Sequence, residues 1–284
     1  MPNTQNKSFT KYTPKQKRVL DLEKKYFNIL FKVFSQKSFS HSLNQIMIEI
    51  NSSWQRIHNI WGKANVVDLA VERLINYKVH NDPLIRPHIQ SVYPSPISSD
   101  TAFITKDAVI NIDSKTTDVY GNPNDWYRQR VGCNQHSFDN KLNFKPPQKP
   151  NNMKITALLK KYHNQKPVLS YFLSTLYYSD EKNQTDSWYD DSQYIIKPYH
   201  LKAKKKNNTK IDTRFTQNIR LSCMPHYEIS SLFKNDLIDG VKVYKPSGVP
   251  NPKHTDEMRV VCSDIKNRYD SRGKIWEGVK TWVI

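Results

Sequence analysis

Residues 99–115 read SDTAFITKDAVINIDSK. Two apolar runs, residues 102–104 and 108–112, flank the polar pair Lys106 and Asp107, the pattern of two antiparallel strands joined by a short turn. With the turn centred on that pair, Thr105 faces Ala108. Equal steps outward then bring Asp100 opposite Asp113.

Directly opposed residues of an antiparallel pair have Cβ atoms roughly 4.5–5.5 Å apart, and like charges there repel unless something lies between them. A divalent cation is the natural candidate. Side chains alternate along a strand, so Asp113 and Lys115 share one face while Ile110, Ile112 and Ser114 take the other. Two acids and a lysine therefore converge at one strand end. Hard carboxylate oxygens bind Mg²⁺ together with waters and a substrate phosphate. Such an ion lowers the pKa of a bound water and offsets charge on a leaving oxygen. A lysine beside it can orient that water, and its own pKa is open to tuning by its surroundings.

Ser99-Asp100, a spacer, then Asp113-Ser114-Lys115 at the end of an apolar strand resembles the PD-(D/E)xK motif of type II restriction endonucleases, with Ser99 where the motif often has proline. The resemblance extends over residues 62–138. It implies an α/β (α+β) fold with a restriction-endonuclease-like core: a central mixed β-sheet flanked by helices, after a helical N-terminal region. It also implies Asp100 and Asp113 as Mg²⁺ ligands, the backbone carbonyl of Ser114 as a further ligand, and Lys115 as the residue that orients the attacking water. The tripeptide alone has little weight, since it recurs at Glu23, Asp180 and Asp264. Glu23 lies in a helix-like stretch and Asp180 in a polar loop. Asp264 follows a strand-like run at residues 259–262 but has no upstream apolar strand to place a second acid opposite it.

Forty-four Lys and Arg against 26 Asp and Glu give a net charge of +18 over 284 residues. Such an excess attracts polyanions and makes binding salt-dependent, which favours nucleic acid as partner. An aromatic content of 12% is too high for a disordered chain. The three cysteines are widely spaced, so neither a disulfide framework nor a zinc site is indicated. No apolar segment suggests secretion or membrane insertion, and no phosphate-cradling glycine loop suggests a nucleotide cofactor. A cytoplasmic location in a prokaryotic cell is the corresponding expectation.

Thr13 and Pro14 read as a helix cap and first helical residue, followed by a stripe of Val19, Leu22, Tyr26, Ile29 or Leu30, and Val33. A second helical stripe runs from Leu43 to Trp61, and the two pack together as a support or dimerisation region. A third helix, residues 65–77, carries Asp68 and Glu72 on one face; Glu72 resembles the glutamate that the helix before the motif presents to the metal. Residues 81–96, with four prolines, read as an extended connection to the hairpin. After it, Arg128, Arg130, Asn134 and Gln135 are residue types that read base edges or clamp phosphates. Residues 168–178 read as one or two strands of the mixed sheet. The densest basic run, KAKKKNNTKIDTR at residues 202–214, offers Lys202, Lys204, Lys205, Lys206, Asn207, Asn208, Lys210 and Arg214 to DNA backbone or groove.

The expectation is one elaborated nuclease domain: residues 1–62 as helical support, 63–140 as catalytic core, and 141–284 as the remaining sheet and DNA-contact region. Its function is that of a Mg²⁺-dependent type II restriction endonuclease acting on double-stranded DNA, as a homodimer. Two alternatives stay open: a repair or structure-selective nuclease of the same superfamily, and a non-catalytic basic nucleic-acid-binding protein.

Overall fold

The computed structural model describes residues 12–52, 66–93, 100–118, 126, 128–132, 162–177, 219–232, 257–263 and 265–282. Helix α1 (Pro14–Phe34) starts where the sequence places it. The Thr13 hydroxyl accepts the Gln16 N–H at 3.2 Å, and the Gln16 side chain accepts the Thr13 N–H at 3.0 Å, so two of the first turn's open donors are satisfied reciprocally. Its stripe of Val19, Leu22, Tyr26, Leu30 and Val33 is buried. Helix α2 (Lys37–Ser52) follows, joined to α1 by an edge-to-face contact of Phe34 with Phe39 at 5.2 Å between ring centroids. Trp54, Ile57 and Trp61 of the expected second stripe lie outside the described residues. Helix α3 (Val66–Asn81) packs against α2 and the hairpin of residues 101–118.

The central sheet has strand order β1 (Ser91–Tyr93), β2 (Thr101–Ile104), β3 (Val109–Asp118), β6 (Lys166–Tyr177), β7 (Ile219–Met224) and β11 (Val279–Trp282), with β5 (Tyr162–His163) added on β6. The β3–β6 pair is parallel and its neighbours are antiparallel, which makes the sheet mixed. Two ribbons stand apart from it: β4 (Arg128–Gly132) with β8 (Glu257–Val261), and β9 (Asn267–Tyr269) with β10 (Ile275–Glu277).

The segment before the hairpin departs from its expected form. Pro87 opens a 3₁₀ turn at Arg86–His88, and the chain then forms β1, paired antiparallel with β2 through Val92 and Phe103. Prolines punctuate the approach, yet three residues free of proline suffice for an edge strand.

One face of the sheet is apolar. Phe103, Ile110, Ile112, Leu169, Tyr171, Leu173, Ile219, Leu221 and Cys223 join the buried residues of α1, α2 and α3 in a single cluster. Within it sits a buried ion pair, Arg268 to Glu23 of α1, and Glu23 also accepts the His226 N–H at 2.8 Å. The Arg268 shaft crosses Gly278 so closely that a Cβ there would lie 2.4 Å from Arg268 Cγ, which is why glycine stands at the entry to β11. The opposite face is mixed and polar: Asn111, Asp113, Ser170, Ser174, Arg220 and Ser222 are all buried. Gln129 of β4 settles on it, accepting the Ser222 hydroxyl at 2.6 Å.

Candidate active site

The hairpin turns where the spacing requires. Thr105 N–H donates to Ala108 O at 2.9 Å, and the register runs Ile104 to Val109 and Thr101 to Ile112. One further step sets Asp100 opposite Asp113. Asp100 stands at the mouth of β2, its carboxylate accepting the Ser114 N–H at 2.6 Å. Asp113, with a side chain 3% exposed, forms an ion pair of 2.5 Å with Lys115. The two share a face by strand alternation, while Ile110 and Ile112 point into the apolar cluster.

Helix α3 brings more to this point than the sequence assigned to it. Asp68, Glu72 and Asn76 recur every four residues, so they form one stripe along the helix. Asn76 donates its side-chain N–H to the Asp100 carbonyl at 3.1 Å. Both helix acids lie within the electrostatic field of Asp100 and Lys115.

Burial is the first cause of every carboxyl shift here. It pushes Asp113 up to about 7, with Lys115 opposing and the charges of Asp100 and Glu72 adding to the rise. Asp68 is pushed up to about 6 by burial and by Asp100, against Lys115. Asp100 is raised by burial despite the Ser114 N–H and Lys115, and Glu72 by burial with Asp100 and Asp68, against Arg73 and Lys115. Four partly or wholly buried carboxylates thus crowd around one lysine. Such an excess of hard oxygen donors over positive charge suits a divalent cation. Among the described residues no group of three or more His, Cys, Asp and Glu side chains stands ready to ligate an ion. An ion held by two of these carboxylates would leave positions for main-chain oxygen, water and phosphate, the mixed shell Mg²⁺ commonly has.

Asp100, Asp113, Ser114, Lys115 and Glu72 are thus brought together, and Asp68 and Asn76 join them. Asp68 shares a face with Glu72 in the sequence, but nothing there says that this face turns toward the hairpin. Of the DNA-contact candidates, Arg128 and Arg130 stand on β4, with side chains outside the described set. Asn134, Gln135, Lys202, Lys204, Lys205, Lys206, Asn207, Asn208, Lys210 and Arg214 lie outside the described residues. Among the competing tripeptides, Glu23 is consumed by its buried pair with Arg268, and Asp180 and Asp264 lie outside the described residues.

A family model described as "Type II restriction enzyme MwoI, N-terminal domain" matches residues 15–183. Two crystal structures resemble the chain. The restriction endonuclease BglI bound to its DNA recognition sequence is 15% identical over 94% of this chain and 91% of its own, with a TM-score of 0.49. The tetrameric restriction endonuclease SfiI bound to cognate DNA is 10% identical over 89% and 97%, with a TM-score of 0.40. No curated relative matches the chain in sequence.

Proposed function

The chain belongs to the family of the type II restriction enzyme MwoI N-terminal domain, and from that premise we propose how this site-specific deoxyribonuclease cuts. Asp100 and Asp113 would hold a Mg²⁺ ion, with the Ser114 carbonyl as a further ligand and Glu72 assisting from α3. When bound, the ion supplies an acidified water and charge neutralisation at the scissile phosphate. Lys115 orients the attacking water and, as a cation, counters charge that accumulates on the phosphate. The Ser114 N–H keeps the Asp100 carboxylate turned toward Asp113. The reading is carried by one observation: the hairpin register that sets Asp100 opposite Asp113, with Lys115 at 2.5 Å from the latter.

The substrate in this reading is duplex DNA. Cutting both strands at a short site calls for two active sites, so a two-fold dimer matching a palindromic site is the proposed assembly. Arg128, Arg130, Asn134 and Gln135, near the hairpin in sequence, are proposed to read bases, and the basic run at residues 202–214 to grip backbone. No helix among the described residues is long and apolar enough to cross a membrane, and the proposed place of action is the cytoplasm.

Purified protein incubated with mixed duplex DNA and Mg²⁺ tests this. Discrete fragments are expected from wild type. Lys115→Ala should cut about 10²–10⁴-fold more slowly, the range for a lost proton-transfer or water-positioning group, and Asp113→Ala at least as slowly, with DNA binding retained. Nicking confined to junctions or damage would point to a repair nuclease. A gel shift without cleavage would point to a binding protein, and wild-type cutting by Asp113→Ala would remove the site assignment.

A further inference from the structure

We propose that Asn76 is a positioning residue, setting the spacing between the acids of α3 and those of the hairpin. The inference rests on the reading of Asp100 as a metal ligand. Asp100 sits where β2 begins, and two contacts fix it. Ser114 N–H holds its carboxylate at 2.6 Å, and the Asn76 amide holds its own carbonyl at 3.1 Å across 24 residues of sequence. The second contact is a neutral tie between two acidic elements. Asp68 and Glu72 ride on the same helical stripe as Asn76, and the Asp100 charge acts against both. Like-charged groups at a half-buried contact repel, and without an ion that repulsion works against the packing of the helix on the hairpin. A hydrogen bond from a neutral amide to a main-chain carbonyl opposes the separation without adding charge to the ion's surroundings. In this reading Asn76 acts through the Asp100 main chain and not on substrate or ion. It keeps the Asp100 backbone where the carboxylate can meet both Ser114 and Asp113.

The test compares full-length wild type with Asn76→Leu, which approximates the shape and lacks the donor, and with Asn76→Gln, which keeps a donor on a longer arm. Three quantities are read: hydrogen exchange of the Ser114 amide in metal-free protein, Mg²⁺ affinity by calorimetry without DNA, and the Mg²⁺ concentration for half-maximal cleavage. In Asn76→Leu the Ser114 amide should exchange faster while amides of α1 and β6 do not. Mg²⁺ affinity should fall about 10-fold, the effect typical of losing a group that orients a metal ligand. The half-maximal Mg²⁺ concentration should rise in step, with the rate at saturating Mg²⁺ nearly restored. Asn76→Gln should recover part of each. Should Asn76→Leu fail to fold, Asn76→Ser, too short to reach the carbonyl, carries the same expectation. Wild-type values in Asn76→Leu, or faster exchange spread evenly over the whole protein, overturn the inference alone. Wild-type cleavage that ignores Mg²⁺ overturns the site reading beneath it.

Discussion

Asp113 is the residue on which the chemistry and the stability pull in opposite directions. Its carboxyl, pushed to about 7 by burial, with Lys115 opposing and Asp100 and Glu72 reinforcing, prefers the protonated state in the folded chain. A folded pKa above the unfolded value of about 3.9 means the native state loses stability as pH rises from about 4 through about 7. Metal-free Asp113→Asn should therefore be more stable than wild type at pH 8, on the order of 1–3 kcal/mol, and the gain should shrink toward pH 4. Urea denaturation at several pH values checks this, and parallel pH profiles for the two proteins would refute it. The acids of the hairpin were legible in the sequence because alternation and equal counting from a turn fix which side chains oppose. Asp68 and Asn76 were not, because their role depends on how α3 rolls against the sheet, and the helix's own periodicity is silent on that.

At the level of elements, α1 is fastened to the tip of the β2–β3 hairpin. Asp107 in the turn accepts the Tyr26 hydroxyl and, at 2.6 Å, the Lys25 ammonium. Tyr26 also reaches Thr105 at 2.8 Å, and Lys166 of β6 donates to the Thr105 carbonyl at 2.5 Å. Burial would raise the Asp107 carboxyl, but the hydrogen bonds from Lys25 and Tyr26, the Lys25 charge and Thr105 outweigh it and hold the group below its ordinary value. Its contribution is thus present above about pH 4 and lost as pH falls through the lowered folded value. Asp107→Asn should destabilise the protein by about 1 kcal/mol at pH 7, less than a buried charged hydrogen bond because the pair is partly solvated, with the penalty shrinking as pH falls below about 4. Thermal unfolding across pH would show it. The sequence exposes the turn and the stripe separately, and Tyr26 reads there as one more apolar contact. Only the packing shows its hydroxyl spent on the hairpin. The edge strand β1 was hidden for a related reason: a strand this short has too few residues to show alternation, and the prolines around it dominate the reading.

Across the whole molecule the chain carries a net charge of +18, whereas the proposed site gathers four carboxyl groups around Lys115, so under the proposed function the attraction to DNA comes from basic residues elsewhere in the chain. Each phosphate contact released by salt adds about 0.9 to the slope of log affinity against log salt. Binding to cognate duplex, measured by anisotropy with Asp113→Ala so that the substrate survives, should weaken about 10³-fold or more between 50 and 200 mM salt. A flat dependence would show that the basic surplus is not at the interface. Composition carried this much without any structure, whereas the pairing of Glu23 with Arg268 was beyond reach, since nothing local marks two charges 245 residues apart as partners. That pair sets a timetable for biosynthesis. The 245 residues between them must be made before Glu23 has its counter-charge, so until then the helix cannot bury that carboxylate as one half of an ion pair.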